Sequence, residues 1–263
     1  MRDAVRFIHI SDTHIGPSTD FEVQGIQPYA LATKLVNALQ KLPFKPDFVV
    51  HTGDIVADPD PKAFELAHSL FSKLPCPFYV VNGNHDSAEG LRATFAHAQV
   101  PFPFNTHTYR FETRGCSFLV LDGNTNTELA GQGLLGNQQL NWVETQLQSI
   151  NKAAIFVHYP AFSLDCDWTD RLMLLKDGER LHNILELRRD QIGGVFFGHI
   201  HSGMQLMRDG ILYSSVASPA FRFPLNPPQA AIEFYTDTPI TYSIVTLSNN
   251  RTIVKEQLVL NNF

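Results

Sequence analysis

Five short stretches of this 263-residue chain hold side chains able to bind cations: Asp12-Thr13-His14, Gly53-Asp54, Gly83-Asn84-His85-Asp86, a lone His158, and Gly198-His199-Ile200-His201. Carboxylate, carboxamide and imidazole together, with no thiolate among them, suit zinc, iron or manganese. Seven candidate donors are too many for one ion and suit two. A carboxylate such as Asp54 can bridge a pair about 3.5–4 Å apart, the arrangement that two-metal hydrolysis requires. Gly53, Gly83 and Gly198 stand where the chain has to turn sharply beside an ion, which glycine allows.

The elements that must position these residues are legible from apolar patterning. Short apolar runs at 5–10, 47–51, 78–81, 117–121, 154–157 and 194–197 read as strands. Helical spacing appears at 29–42, 61–74 (after the start signal Asp58-Pro59-Asp60-Pro61), 138–150 and 178–190. Each of the five polar stretches directly follows a strand. In an open sheet with helical crossovers the carboxyl ends of the strands share one edge, so residues spread from 12 to 201 converge there. Beyond Gly203 the pattern becomes β-rich, with strands expected at 204–208, 211–215, 231–235, 242–247 and 253–260. Asp209-Gly210 and Asn249-Asn250 supply turn signals, and 219–228 reads as a loop. The expected architecture is α/β and layered. One unit covers 1–263, with 1–203 carrying the motifs and 204–263 completing the second sheet.

Composition narrows the class. Hydrophobic residues make up 44% and charged residues 17% of the chain, enough for a sizeable core. A net charge of -6 and the lack of any Lys/Arg run argue against a nucleic-acid polymer as partner. A bound cation can still attract an anionic small molecule inside an acidic protein. The three widely spaced cysteines suggest neither a disulfide framework nor a CxxC zinc site, and favour a reduced, intracellular setting. No apolar stretch has signal-peptide or membrane-span length, so a soluble cytoplasmic protein is expected.

In their order, the five blocks resemble the calcineurin-like metallophosphoesterase superfamily. The surroundings HISDTHIG, GNHD and VFFGHIH are similar to its class III cyclic-nucleotide phosphodiesterase branch, which also contains glycerophosphodiesterases. The resemblance implies a four-layer α-β-β-α sandwich and two divalent or trivalent metal ions (iron, manganese or zinc). It implies that Asp12, His14, Asp54 and His201 hold the first ion and Asp54, Asn84, His158 and His199 the second. His85 stays outside the coordination shell as proton donor or phosphate clamp, with Asn84 beside it at the substrate. Asp86 is a candidate to orient the imidazoles. The implied activity is hydrolysis of a phosphodiester by a metal-bridging hydroxide, the diester being a 3′,5′-cyclic nucleotide or a small glycerophosphodiester, and a homodimer is compatible. The alternative is a phosphomonoesterase; against it, the Ser/Thr phosphatases follow Gly-Asp with a DRG element, where this chain reads GDIVADPD. A non-catalytic scaffold with the same fold would be expected to show broken ligand positions.

The other histidines take ordinary roles. His9 and His51 lie within strands, His68 and His182 on helices, and His97 and His107 in loops. The loop holding Asp165, Trp168, Asp170 and Arg171 is either a pocket wall or a surface crossing. For Phe221-Arg222-Phe223, core packing is favoured over base stacking or a dimer contact.

Overall fold

The computed structural model describes residues 4–97, 100–125, 129 and 131–259. The elements run β1 (Val5–Ile10), α1 (Pro28–Gln40), β2 (Phe48–His51), α2 (Pro61–Phe71), β3 (Phe78–Val80), α3 (Ala88–Phe95), β4 (Tyr109–Thr113), β5 (Cys116–Val120), α4 (Gly136–Leu147), β6 (Ala153–Phe156), α5 (Asp167–Leu172), α6 (Gly178–Glu186), β7 (Ile192–Phe197), β8 (Gln205–Arg208), β9 (Ile211–Ser215), β10 (Thr241–Ser248) and β11 (Arg251–Leu258). They build two sheets, one ordered β11-β10-β1-β2-β3 and the other β4-β5-β6-β7-β9-β8.

Strand alternation explains the layering. In β1, Val5 and Phe7 face the second sheet, while Ile8 and Ile10 face outward. Both sets are buried, which is why the strand reads as a continuous apolar run. Between the sheets, Phe7 stacks on Phe48 with centroids 4.9 Å apart and meets Phe118, Phe156 and Phe196 edge-on. Leu35, Ala67 and Leu91 of α1, α2 and α3 cover the outer face of the first sheet. Leu140 and Val143 of α4 and Leu181 and Leu185 of α6 cover the second. The result is the expected α-β-β-α sandwich.

Local signals fix the helix starts. Asp60 accepts a hydrogen bond from Lys62 N at 2.8 Å, and Pro61 occupies the first turn of α2. Ser87 accepts from Gly90 N at 3.1 Å, so α3 begins directly after Asp86.

The C-terminal part departs from expectation in two ways. Hairpin β8–β9 joins the second sheet, but β10 and β11 add to the first, with β10 antiparallel to β1. Residues 204–263 therefore do not serve the second sheet alone. The strand expected at 231–235 is not formed. Its alternation belongs to a segment with no strand beside it, and Tyr235 makes only an isolated bridge to Arg222. Both two-residue turns are as expected; Asp209 (φ 49°) and Gly210 (φ 82°) take the left-handed conformations that a type I′ hairpin needs. The helix expected at 178–190 ends at Glu186, followed by a short 3-10 turn at Arg189–Gln191. Elements α3, β4 and α5 were not anticipated. Position 260 of the expected last strand lies outside the described residues, as do 1–3 and 261–263 of the expected unit. Among the described residues, no helix is long and apolar enough to cross a membrane.

Candidate metal centre

Strands β1, β2 and β3 are parallel to one another, as are β5, β6, β7 and β9. The loops at their carboxyl ends meet at one edge of the sandwich. Asp12, His14, Asp54 and His201 form one buried group, and Asp54, His158 and His199 a second, with donor atoms in each group within 4.8 Å of one another. Asp54 belongs to both. Its Oδ2 lies 3.8 Å from His14 Nε2 and 3.4 Å from His158 Nε2. His201 Nε2 stands 3.5 Å from Asp12 Oδ1 and 3.1 Å from His14 Nε2. Asn84 joins the second group, its Oδ1 being 3.2 Å from His158 Nε2.

The outer ring nitrogens set the direction of the inner lone pairs. Nδ1 of His158 donates to Thr52 O at 2.7 Å, and Nδ1 of His201 donates to Phe221 O at 2.9 Å. Each ring then turns its Nε2 inward, the orientation a metal-binding imidazole needs. His199 uses the opposite face. Its Nε2 donates to Gly131 O at 2.7 Å, leaving Nδ1 toward the cluster.

Electrostatics fit the same use. Burial pushes His199 and His201 down to about 3, so both rings are neutral and able to coordinate. Burial pushes the Asp12 carboxyl up to about 7. At His158 burial acts downward, but the adjacent Asp54 carboxylate outweighs it and raises the group to about 9. Two carboxylates buried side by side need cationic partners, yet among the described residues no Lys or Arg lines the cleft above them. Two buried carboxylates, one amide oxygen and four imidazoles suit a pair of borderline cations.

The backbone is preset for this convergence. Asp12, His14, Asp54, His199 and His201 all have positive φ, between 48° and 69°. Such strain costs on the order of 1–3 kcal/mol per residue and persists only where the surroundings impose it. Here the loops lock together: Asp12 N donates to Gly53 O at 3.0 Å, His14 N to Asp54 O at 3.1 Å, and His199 N to the Asp12 carboxylate at 3.1 Å.

His85 lies beside the cluster. Its N–H donates to Asp54 Oδ1 at 2.9 Å and its Nδ1 to Ala57 O at 2.7 Å, leaving Nε2 for the cleft. Burial lowers its pKa, but Asp54 and the Ala57 carbonyl more than offset this, and the net shift is upward.

Among the described residues, the Asp86 carboxylate makes no hydrogen bond or ion pair to an imidazole. It accepts from the backbone N–H of Ile55, Val56 and Gly83 at 3.0, 3.1 and 3.1 Å. It therefore orients the loops carrying Asp54 and Asn84 rather than the rings. Sequence reasoning missed the loop after β5. There Asp122 accepts from Asn82 Nδ2 at 2.9 Å, and Asn124 Nδ2 donates to Gly83 O at 2.8 Å. The signal was an Asp-Gly pair at a strand end, as at Gly53-Asp54, but without a histidine near it. His9 and His51 are buried braces, bonded to the hydroxyls of Thr52 and Thr13. His182 bonds to Tyr213 and Asp209, and His97 bonds to Phe78 O.

The cluster opens into a cleft of about 580 Å³. Trp168 lines it from α5, whereas Asp170 caps the preceding loop at Leu164 N and Arg171 reaches Ala230 O. Phe221 and Phe223 pack in a small cluster with Trp168 and Met173 and also line the cleft, so packing and site coincide there.

Comparison with known proteins gives a consistent result. Residues 5–203 match the family described as Calcineurin-like phosphoesterase. A protein of Arcobacter nitrofigilis named "Probable glycerophosphodiester phosphodiesterase GpdQ" is 26% identical over 88% of this chain and 88% of its own length. A 3′,5′-cyclic-nucleotide phosphodiesterase of Nostoc sp. is 25% identical over 83% of this chain and 80% of its own. The Glycerophosphodiester phosphodiesterase GpdQ of Enterobacter lignolyticus is 30% identical over 74% of this chain and 70% of its own. Among solved structures, a dimetal phosphatase from Danio rerio superposes with a TM-score of 0.67 at 16% identity, covering 95% of this chain and 98% of its own. GAP50, described as the anchor in the inner membrane complex of Plasmodium, reaches 0.66 at 14% identity over 99% of this chain and 86% of its own. The shared fold thus serves different ends, and function has to be argued from the site.

Proposed function

Because the chain belongs to the calcineurin-like phosphoesterase family, we propose that it is a metal-dependent phosphodiesterase whose substrate is a 3′,5′-cyclic nucleotide or a small glycerophosphodiester, the classes named for its relatives. The observation that carries this reading is the pair of donor groups sharing Asp54 at the floor of a cleft. Asp12, His14, Asp54 and His201 hold one ion; Asp54, Asn84, His158 and His199 hold the other, each iron, manganese or zinc. Bound there, two cations lower the pKa of water and neutralise charge on the phosphoryl oxygens. The chain's own groups do the rest. Thr52, Phe221 and Gly131 carbonyls fix the imidazole orientations. His85, held by Ala57 O, supplies a proton to the departing alkoxide from Nε2. Asn84 and His85 line the cleft where the phosphate would lie.

A monoester dianion carries an extra charge, and among the described residues no Lys or Arg lines the cleft to receive it; this favours the monoanionic diester. All the ligand positions are intact, which disfavours a scaffold role. The chain is taken to act as one unit in the cytoplasm, on a small molecule rather than a nucleic-acid polymer, and a homodimer is compatible with this. The test is a panel of cyclic nucleotides, glycerophosphodiesters and monoesters compared by kcat/KM at fixed metal, with metal content measured alongside. About two metal equivalents with preferred diester turnover is the expected result. Preferred monoester turnover, or an inert protein after metal supplementation, would overturn the reading.

A further inference from the structure

One wall of the cleft is unlike a site for a sugar or a glycerol. Phe221 stacks on His14 with centroids 5.4 Å apart and approaches His201 at 4.5 Å; Phe223 lies 4.4 Å from His201. Phe234 then contacts Phe221 at 5.7 Å and Phe223 at 5.4 Å. The shelf thus begins on two imidazoles of the centre and runs to the mouth. There Phe234 and Ile232 are each 44% exposed and Leu172 is 42% exposed. A soluble protein seldom leaves such a group of apolar side chains facing water without a ligand or partner for them.

Beyond the donor groups and His85, the polar side chains that line the cleft among the described residues are few: Gln24, Asp58 and Gln132. Gln132 Nε2 is committed to Arg171 O, and Trp168 Nε1 is buried. Among the described residues, no Lys or Arg lines the cleft to receive a second anionic group.

Resting on the phosphodiesterase reading, we infer that this shelf is the subsite for an uncharged apolar substituent of the diester, an alkyl, acyl or aryl group. The preferred substrate is then a monoanionic phosphodiester carrying one hydrophobic alcohol, not a cyclic nucleotide and not a diester of two polar alcohols. Water adds to phosphorus, one P–O bond breaks, and the departing alkoxide takes a proton; the products are a phosphomonoester and an alcohol. Because the shelf ends at the metal-binding imidazoles, the occupant has to be bonded to the reacting phosphate.

The experiment uses the metal-loaded protein and glycero-3-phospho-alkyl diesters with methyl, butyl and hexyl groups, with 3′,5′-cyclic AMP as comparator. An added phosphomonoesterase converts the monoester from either scission to inorganic phosphate for detection. A methylene half-buried on the shelf is worth about twofold, so kcat/KM should rise on the order of thirtyfold from methyl to hexyl. Phe234→Ala, at an exposed position, should flatten that slope, and Ile232→Ser should do so in part. A flat slope in the unaltered protein, an unchanged slope in Phe234→Ala, or cyclic AMP turned over faster than the hexyl diester would each overturn the inference while leaving the phosphodiesterase reading standing. Turnover of none of these diesters would overturn both.

Discussion

Replacing Asp86 by alanine isolates what this carboxylate does for the centre without touching a donor atom. Asp86 is 3% exposed and receives three backbone N–H groups, from Ile55, Val56 and Gly83. Truncation leaves three buried donors unpartnered, each at a cost of about 1–3 kcal/mol. Burial and the neighbouring Asp54 carboxylate push the Asp86 carboxyl up to about 7, so the bonus for a fully charged acceptor is discounted and the low end of the range applies. The total is then roughly 3–5 kcal/mol. For a chain of this size each kcal/mol moves the melting temperature by about 2–4 °C, which makes the expected fall roughly 6–20 °C. Asp86→Asn keeps one acceptor but turns an NH₂ toward at least one backbone donor, and should fall between the two. The assay is differential scanning calorimetry at fixed pH and metal, with metal content read on the same samples. Since the donors flank Asp54 and Asn84, metal affinity should fall together with stability. An Asp86→Ala protein melting within about 2 °C of the parent with full metal content would refute the claim that this carboxylate holds the loops.

Four further outcomes follow from the same geometry. Asn84→Ala removes the amide oxygen 3.2 Å from His158 Nε2 and should lower metal content from two equivalents toward one, by elemental analysis. His85→Ala should retain both ions and lower kcat by about 10²–10⁴-fold; loss of metal instead would place His85 in the coordination shell. Gly83→Ala puts a Cβ 2.1 Å from Asp54 Oδ1 and 2.3 Å from its backbone N, so metal binding should collapse with a stability loss of at least about 1–3 kcal/mol, visible by calorimetry. Asn124→Ala removes the bond to Gly83 O, 2.8 Å long, and should cost only about 0.5–1.5 kcal/mol in stability while lowering kcat; Asn124→Asp, which cannot donate to that carbonyl, should not restore it.

The donors were legible because each interrupts an apolar strand at its carboxyl end, where topology leaves few places to go. His158 illustrates the limit of that logic. Alone it is one more histidine; only the order of the other four blocks gives it a role. Asp122 and Asn124 were missed since their partners, the Asn82 side chain and the Gly83 carbonyl, belong to another loop, and pairings across 40 and 41 positions leave no periodic trace. Asp86 was assigned the wrong target for the same reason: adjacency to His85 suggested a ring, but the carboxylate turns to amide N–H groups. Ile232 and Phe234 looked like strand residues from their alternation. Their apolar faces serve a cleft wall, and sequence spacing does not distinguish a cleft from a core.

The placement of β1 has a consequence for how the protein is made. Asp12 and His14 follow a strand flanked by β2 on one side and β10 on the other, with Val5 opposite Leu247. His201 is steadied by Phe221 O, and the carbonyl of Asp12 by Ser218 Oγ, 206 positions away. At ribosomal rates of about 5–20 residues per second, on the order of 10 s or more separates the emergence of Asp12 from that of Phe221. Through that interval β1 presents a bare edge, the kind of surface that pairs with wrong partners. The donor groups cannot all come together until the chain has emerged through Phe221. Any cation these groups hold would therefore be taken up by a chain already extended past Phe221, from the ions free in the compartment at that moment.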